Sequence, residues 1–225
     1  MQAFLLAAGY GSRLKPLTDN IPKCLVPIKG RPLLSYWINK LEKVNIKNIT
    51  INTHHLQEQV VEFLSAYKHL NIKITFEESL LGTAGSFISN LENFEDDLLL
   101  AHADNYFDDD LFEFINAHKN RPSKCTITVM TFISSNPHNC GIFHINSKGV
   151  VEGIYEKIER PPGNIANAAV YIIPKDFFIY FKTKYPKAKD FVLDILKNEI
   201  GKIYTYPSKG IFLDIGTFED YLKVK

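Results

Sequence analysis

The sequence predicts an α/β protein built on a mainly parallel sheet, and three observations carry that prediction. Short, wholly apolar runs alternate with helix-periodic segments through the first half. The strand-like runs of the second half follow one another closely, with tight turns between them. A glycine-containing turn comes directly after the first apolar run, where parallel α/β sheets open their ligand crevice.

Taken in order, Ala3–Ala8 is apolar throughout, as a strand buried on both faces must be. Leu33–Val44 repeats apolar residues at helical spacing, with Pro32 at its first turn. Asn48–Thr53 is β-branched and reads as a strand. Leu56–Tyr67 is helical, Ile72–Phe76 a strand, Ala84–Leu91 a short helix, Asp97–Ala103 a buried strand and Leu111–His118 a helix. Strand, helix and strand in repetition require parallel pairing with helices on the sheet faces. Cys125–Phe132, Gly141–Asn146, Val150–Tyr155 and Ala168–Ile173 then form a small mixed β extension. Helices are expected at Lys175–Phe181, Phe191–Glu199 and Phe218–Val224, and a loop at residues 161–164. The chain of 225 residues suits a single domain, with a nucleotide-binding half over about 1–120 and an acceptor half over about 121–225.

Composition excludes several classes. There are 26 basic and 25 acidic side chains, a net charge of +1, so bulk electrostatics favour neither nucleic acid nor membrane partners. Three cysteines, Cys24, Cys125 and Cys140, without CxxC spacing, read as reduced thiols. No signal peptide or membrane-length apolar run is present, so a soluble cytoplasmic protein is expected.

The stretch LAAGYGSRLKPLT (residues 6–18) is a plain turn or a phosphate cradle. Gly9 and Gly11 let backbone N–H groups approach an anion, and Arg13 can fork onto phosphate oxygens. Leu14 stands where GxGxxG needs its last glycine, and Thr53-His54-His55 replaces the acidic residue of a dinucleotide site, which argues against a dehydrogenase. Pro22 positions Lys23 as a second cation, whereas Lys29 and Arg31, beside Gly30, read as turn and surface residues. Asp104 ends an apolar strand and suits Mg²⁺, or else caps a turn. Asp108–Asp110 read as helix-capping charges. Asp214, between Leu213 and Ile215, is a second metal ligand or a buried salt-bridge partner. Glu156 and Asn167 suit sugar hydroxyls and Lys157 a sugar phosphate, or else Glu156 and Lys157 are ordinary surface charges. Gly82 and Thr83 lie in a glycine-rich turn. His54, His55 and His102 read as structural or as crevice lining.

Seven segments, LAAGYGSRLKPLT, PKCLVPIKGRPLL, ESLLGTAGS, AHADN, GVVEGIYEK, NAAVYII and FLDIGT, occur in an order that resembles the sugar-1-phosphate nucleotidyltransferases. The resemblance is nearest to short bacterial mannose-1-phosphate guanylyltransferase-like proteins. It implies a Rossmann-like GT-A-type fold. It also implies a reaction of an NTP with a sugar 1-phosphate that gives an NDP-sugar and pyrophosphate, without a covalent intermediate. GTP and a mannose- or heptose-type 1-phosphate are the expected substrates, in cell-envelope polysaccharide biosynthesis. Uridylyl, thymidylyl or cytidylyl transfer, including transfer to phosphocholine, is the alternative.

By the same resemblance Ala7, Ala8, Gly9, Gly11, Ser12 and Arg13 hold the nucleotide, Lys23 meets the α-phosphate region, and Gly82 and Thr83 contact base or ribose. Asp104 and Asp214 chelate Mg²⁺, while Gly141, Glu156, Lys157 and Asn167 bind the sugar phosphate. Arg13, Lys23, Asp104 and Asp214 form the expected catalytic set. Tyr10 and Ser12 depart from the family's frequent Gly and Thr. The chain stops after the FLDIGT helix, so no acyltransfer activity is expected; a homodimer is allowed for. A GT-A glycosyltransferase is disfavoured by the glycine-loop and Pro22-Lys23 module, and a non-catalytic sugar-nucleotide-binding subunit by the joint presence of Arg13, Lys23, Asp104 and Asp214.

Overall fold

The computed structural model describes residues 1–222, except the side chains of Asp214 and Asp220. In chain order its elements are β1 (Gln2–Leu6), β2 (Pro27–Ile28), β3 (Arg31–Pro32), α1 (Leu33–Lys43), β4 (Asn48–Thr53), α2 (Gln57–Leu64) and β5 (Asn71–Phe76). There follow α3 (Gly82–Asn90), β6 (Leu98–His102), β7 (Asn105–Phe107), α4 (Leu111–Lys119), β8 (Ile127–Ile133), β9 (Gly141–Ile145) and β10 (Val151–Glu156). The last are β11 (Ile165–Ile173), α5 (Phe178–Lys184), β12 (Ile203–Pro207), β13 (Phe212–Asp214) and α6 (Phe218–Leu222). None of the described helices is long and apolar enough to cross a membrane.

Two compact units emerge, and neither is continuous in sequence. The first comprises residues 1–80, 100–111 and 211–225; the second comprises 81–99 and 112–210. In the first, strands run in the order β6-β1-β4-β5. β4 is parallel to β1, with Ala3 opposite Ile49, and to β5, with Asn48 opposite Asn71. Ala3, Phe4 and Leu5 are fully buried, which explains why β1 carries no polar residue along its centre. α1 buries Trp37, Ile38 and Leu41, and the indole Nε1 of Trp37 donates to the Asn105 carbonyl at 3.0 Å. Leu14, Val26, Ile28, Leu33, Tyr106, Ile215 and Tyr221 close into one buried cluster. Leu14 is therefore a core residue, the physical reason the dinucleotide pattern fails at that position.

The second unit carries the strand order β10-β9-β11 with β8 paired to β11 and β12 to β8. All pairs are antiparallel except β12–β8. The register of β11 against β8 shifts between Asn167 and Tyr171, and Ala169 within it has φ +53°.

Several elements differ from the sequence expectation. The 191–199 segment is a π-helical turn (Phe191–Ile195) followed by a 3-10 turn (Leu196–Glu199), not an α-helix. Residues 175–177 form a 3-10 turn, and α5 begins only at Phe178. β2, β3, β7 and β12 were not anticipated. Lys29 and Gly30, at φ +48° and +74°, make the tight turn between β2 and β3, as their residue types suggested. Asp108 and Asp109 do more local work than helix capping. Asp108 accepts from the Ile211 N–H at 2.7 Å, and Asp109 from the Asp110 N–H at 2.8 Å. The expected end of the last helix, at residues 223–224, lies outside the described residues.

Candidate active site

In the first unit the loop after β1 is shaped by its glycines in different ways. Gly11 has φ +65°, and a Cβ there would lie 2.9 Å from the Thr18 methyl and 3.1 Å from Lys23 Cβ. Only glycine fits. Its carbonyl accepts from the Thr18 hydroxyl at 2.8 Å and from the Leu14 N–H at 2.8 Å. Gly9 differs: no atom lies within 4 Å of where its Cβ would be, so the backbone there faces open space. The Ala7 N–H is already donated to Asn52 Oδ1 at 2.6 Å, and Ala8 is buried. Ser12 and Arg13 are exposed in a 3-10 turn that Gly11 caps.

Beneath this loop Lys23 is buried, at 9% exposure, with extended Pro22 introducing its 3-10 turn. Its ammonium donates to Asp104 Oδ2 at 2.5 Å. Asp104 sits between β6 and β7. Burial pushes its carboxyl up, but the Lys23 charge, His102 and the Lys23 hydrogen bond outweigh that and hold it below the usual carboxylate range. Lys23 and Asp104, chosen from the sequence as separate phosphate and metal groups, thus form an ion pair. An ionised carboxylate is a suitable hard-oxygen donor for Mg²⁺. Asp214 lies opposite Asn105 in the antiparallel β13–β7 pair, one residue from Asp104 in register; its side chain lies outside the described residues. Among the described residues no group of three or more His, Cys, Asp and Glu could hold a metal. Next to Lys23, the Cys24 thiol is pushed up to about 12, chiefly by burial, so it is no nucleophile.

In the second unit Gly141, Glu156, Lys157 and Asn167 come together. Glu156 pairs with Gly141 across β10 and β9. A Cβ on Gly141 would lie 2.4 Å from Glu156 Oε2 and 3.9 Å from Asn167 Cβ. The Lys157 ammonium lies 3.5 Å from Glu156 Oε1 and is mostly exposed. Asn167 is partly committed: its Oδ1 accepts from the Ala169 N–H at 2.9 Å, and its Nδ2 donates to the Tyr171 hydroxyl at 2.8 Å. It therefore fixes the irregularity in β11 as well as facing Gly141. Gly82 and Thr83 start α3, bound to the 189–191 segment. The Thr83 hydroxyl accepts from the Phe191 N–H at 2.8 Å, and a Cβ on Gly82 would lie 2.4 Å from the Lys189 carbonyl.

Sequence reasoning missed one network in the first unit. Asn52 Nδ2 donates to Glu77 Oε1 at 2.7 Å. His54 Nδ1 lies 2.7 Å from the Glu77 carbonyl and Nε2 2.7 Å from the Tyr10 hydroxyl. The available signal was Tyr10 inside a glycine loop together with His54 at a strand end.

A family model described as Nucleotidyl transferase matches residues 2–225. The chain belongs to the nucleotidyl transferase family. Among its relatives is the Bifunctional protein GlmU of Methanocaldococcus jannaschii, 30% identical over 229 residues, which cover 99% of this chain and 53% of that protein. Another is the Mannose-1-phosphate guanyltransferase 2 of Candida glabrata, 26% identical over 228 residues, covering 99% and 63%. The chain thus spans between half and two thirds of the length of these curated relatives. A crystal structure of HddC from Yersinia pseudotuberculosis, complexed with GMP-PN, matches with a TM-score of 0.80 at 26% identity, covering 99% of this chain and 97% of that one. For a nucleotidyl transferase the absence of a Ser-His or Cys-His pair in the two residue sets above is no defect. Phosphoryl chemistry of this kind needs alignment and charge neutralisation rather than a protein nucleophile.

Proposed function

We propose that this nucleotidyl transferase forms an NDP-sugar and pyrophosphate from an NTP and a sugar 1-phosphate, with GTP and a mannose- or heptose-type 1-phosphate as substrates. The observation that carries the reading is the Lys23–Asp104 ion pair, with Lys23 Cβ packed against Gly11 of the Gly9–Arg13 loop. A buried cation paired with an ionised carboxylate, packed against Gly11 of a loop whose Gly9 backbone is open, is a setting suited to a triphosphate. The guanine choice is supported by the GMP-PN complex of HddC and by the name of the Candida relative.

In this reading a sugar-phosphate oxygen attacks the α-phosphorus in line, forming one P–O bond as the bond to pyrophosphate breaks. Gly9, Gly11 and Ser12 direct backbone N–H groups at the phosphates, and Arg13 adds a fork of donors. Lys23 neutralises charge that builds on the α-phosphate oxygens. Asp104, with Asp214, would hold Mg²⁺, which supplies further charge neutralisation and orients the triphosphate when bound. Lys157 meets the sugar phosphate, Glu156 and Asn167 meet sugar hydroxyls, and Gly82 and Thr83 meet base or ribose. The enzyme works in the cytoplasm as a supplier of activated sugars.

The test is pyrophosphate release with Mg²⁺, screening GTP, UTP, CTP and dTTP against mannose, heptose and glucose 1-phosphates. GTP with mannose or heptose 1-phosphate turns over fastest, and Lys23→Ala or Asp104→Ala lowers kcat/KM by about two to three orders of magnitude. Sugar transfer from a preformed sugar nucleotide, with no pyrophosphate released from any pair, sinks the proposal.

A further inference from the structure

The glycine loop is fastened at its start, middle and end, and the first two fastenings converge on one residue. At its start, the Ala7 N–H is held by Asn52 Oδ1, and Asn52 in turn donates to the Glu77 carboxylate. In its middle, Tyr10 reaches His54, and His54 reaches the Glu77 carbonyl. At its end, Gly11 is held by Thr18 and Leu14. Glu77 itself is buried at 5% exposure, with its N–H donated to the Thr53 carbonyl at 2.9 Å. Both side-chain lines therefore run to a fixed point between the ends of β4 and β5.

The chemistry of the middle line is determined by its acceptor. A carbonyl oxygen only accepts, so His54 Nδ1 carries the proton, and in the neutral ring Nε2 accepts from the Tyr10 hydroxyl. The Tyr10 ring stands edge-on to His54, with centroids 5.0 Å apart and an interplanar angle of 82°, and it touches His55 on another side at 5.7 Å. Yet Tyr10 is 50% exposed, so its placement is not imposed by core packing. A half-exposed side chain flanked by two glycines is free to move unless something holds it.

We propose that Tyr10 and His54 form a latch that fixes the glycine loop in its nucleotide-accepting shape before the nucleotide arrives. They are positioning residues: they act through the backbone of residues 9–11, and the ordering cost they remove would otherwise weaken triphosphate binding. The inference rests on the proposed NTP reading of this loop.

The test is a double-mutant cycle on the full chain with Tyr10→Phe, His54→Gln and the two combined. Three quantities are measured with Mg²⁺: affinity for GTP, affinity for pyrophosphate, and KM for the sugar 1-phosphate. Thermal melting serves as the folding control, and Tyr10→Phe keeps the ring and removes only the hydroxyl. Each single change weakens GTP and pyrophosphate by about three- to tenfold, the loss of one hydrogen bond. The double change weakens them no further, and KM for the sugar 1-phosphate stays within about twofold. Equal affinities in all four proteins, or effects that multiply, overturn the latch. So does a loss confined to GTP with pyrophosphate affinity intact, which would make Tyr10 a contact for the base. Failure of the unaltered protein to bind any NTP or pyrophosphate overturns the functional reading instead.

Discussion

The two glycines of the loop give opposite predictions, and the difference can be worked from their surroundings. Alanine at position 11 would have to adopt φ +65°, ψ +25°, at a cost of about 1–2 kcal/mol for an L-residue. Its Cβ would press on Thr18 Cγ2 at 2.9 Å and Lys23 Cβ at 3.1 Å, and Thr18 cannot turn away without breaking its bond to the Gly11 carbonyl. Such overpacking adds roughly 1–3 kcal/mol. The sum is about 3 kcal/mol, which in a chain of this size lowers the Tm by about 10 °C. Alanine at position 9 meets nothing within 4 Å, so its Tm should stay within about 2 °C of the unaltered protein. In the proposed function its methyl would stand where a phosphate approaches the backbone, and GTP affinity should fall by about tenfold or more. Melting curves with and without GTP and Mg²⁺ measure both effects. A Gly11→Ala protein that melts like the parent, or a Gly9→Ala protein that binds GTP like the parent, would refute the reasoning.

Two further outcomes test the second unit. His118 is buried, its Nδ1 2.8 Å from the Thr128 hydroxyl, and burial, helped by Arg121, pulls its pKa from 6.5 down to about 3. The unfolded chain therefore binds the extra proton first, so this residue's contribution is intact above pH 6.5 and is lost as pH falls toward 3. The loss is about 2 kcal/mol by pH 5, and His118→Gln should flatten that part of the pH–stability curve in urea melts. Asn167→Ala leaves the Ala169 N–H and Tyr171 hydroxyl without their partner. It should cost about 1–3 kcal/mol and raise KM for the sugar 1-phosphate; an unchanged KM with lowered stability would leave Asn167 as a β11 support alone.

The sequence announced elements whose cause is local. β4 is found at the expected limits and α1 within one residue of them, because a β-branched run and a helical repeat each act over a few neighbours. The 191–199 segment misled because Phe191, Ile195 and Leu196, its buried apolar residues, sit at a spacing that an α-helix and a wider π turn share. β7 and β13 are three residues each and exist by pairing with one another over a hundred positions, a dependence no local window contains. The site followed the same rule. Asp104 and Lys23 were legible singly, as a strand-end carboxylate and a proline-set cation, but their ion pair spans 81 positions. The Asn52–Glu77–His54–Tyr10 network was hidden because each link joins residues 23 to 44 apart.

The first unit is assembled from three stretches of chain, the last beginning at residue 211. Its buried cluster joins Leu14 to Ile215 and Tyr221, contacts of very high sequence separation, while residues 112–210 of the second unit run without interruption. Closing so long a loop costs entropy before any contact repays it, so the parts that depend on it fold late. A ribosome-bound or clipped chain lacking residues after 210 therefore has the glycine loop's sequence but not Ile215 and Tyr221, which help to bury its Leu14.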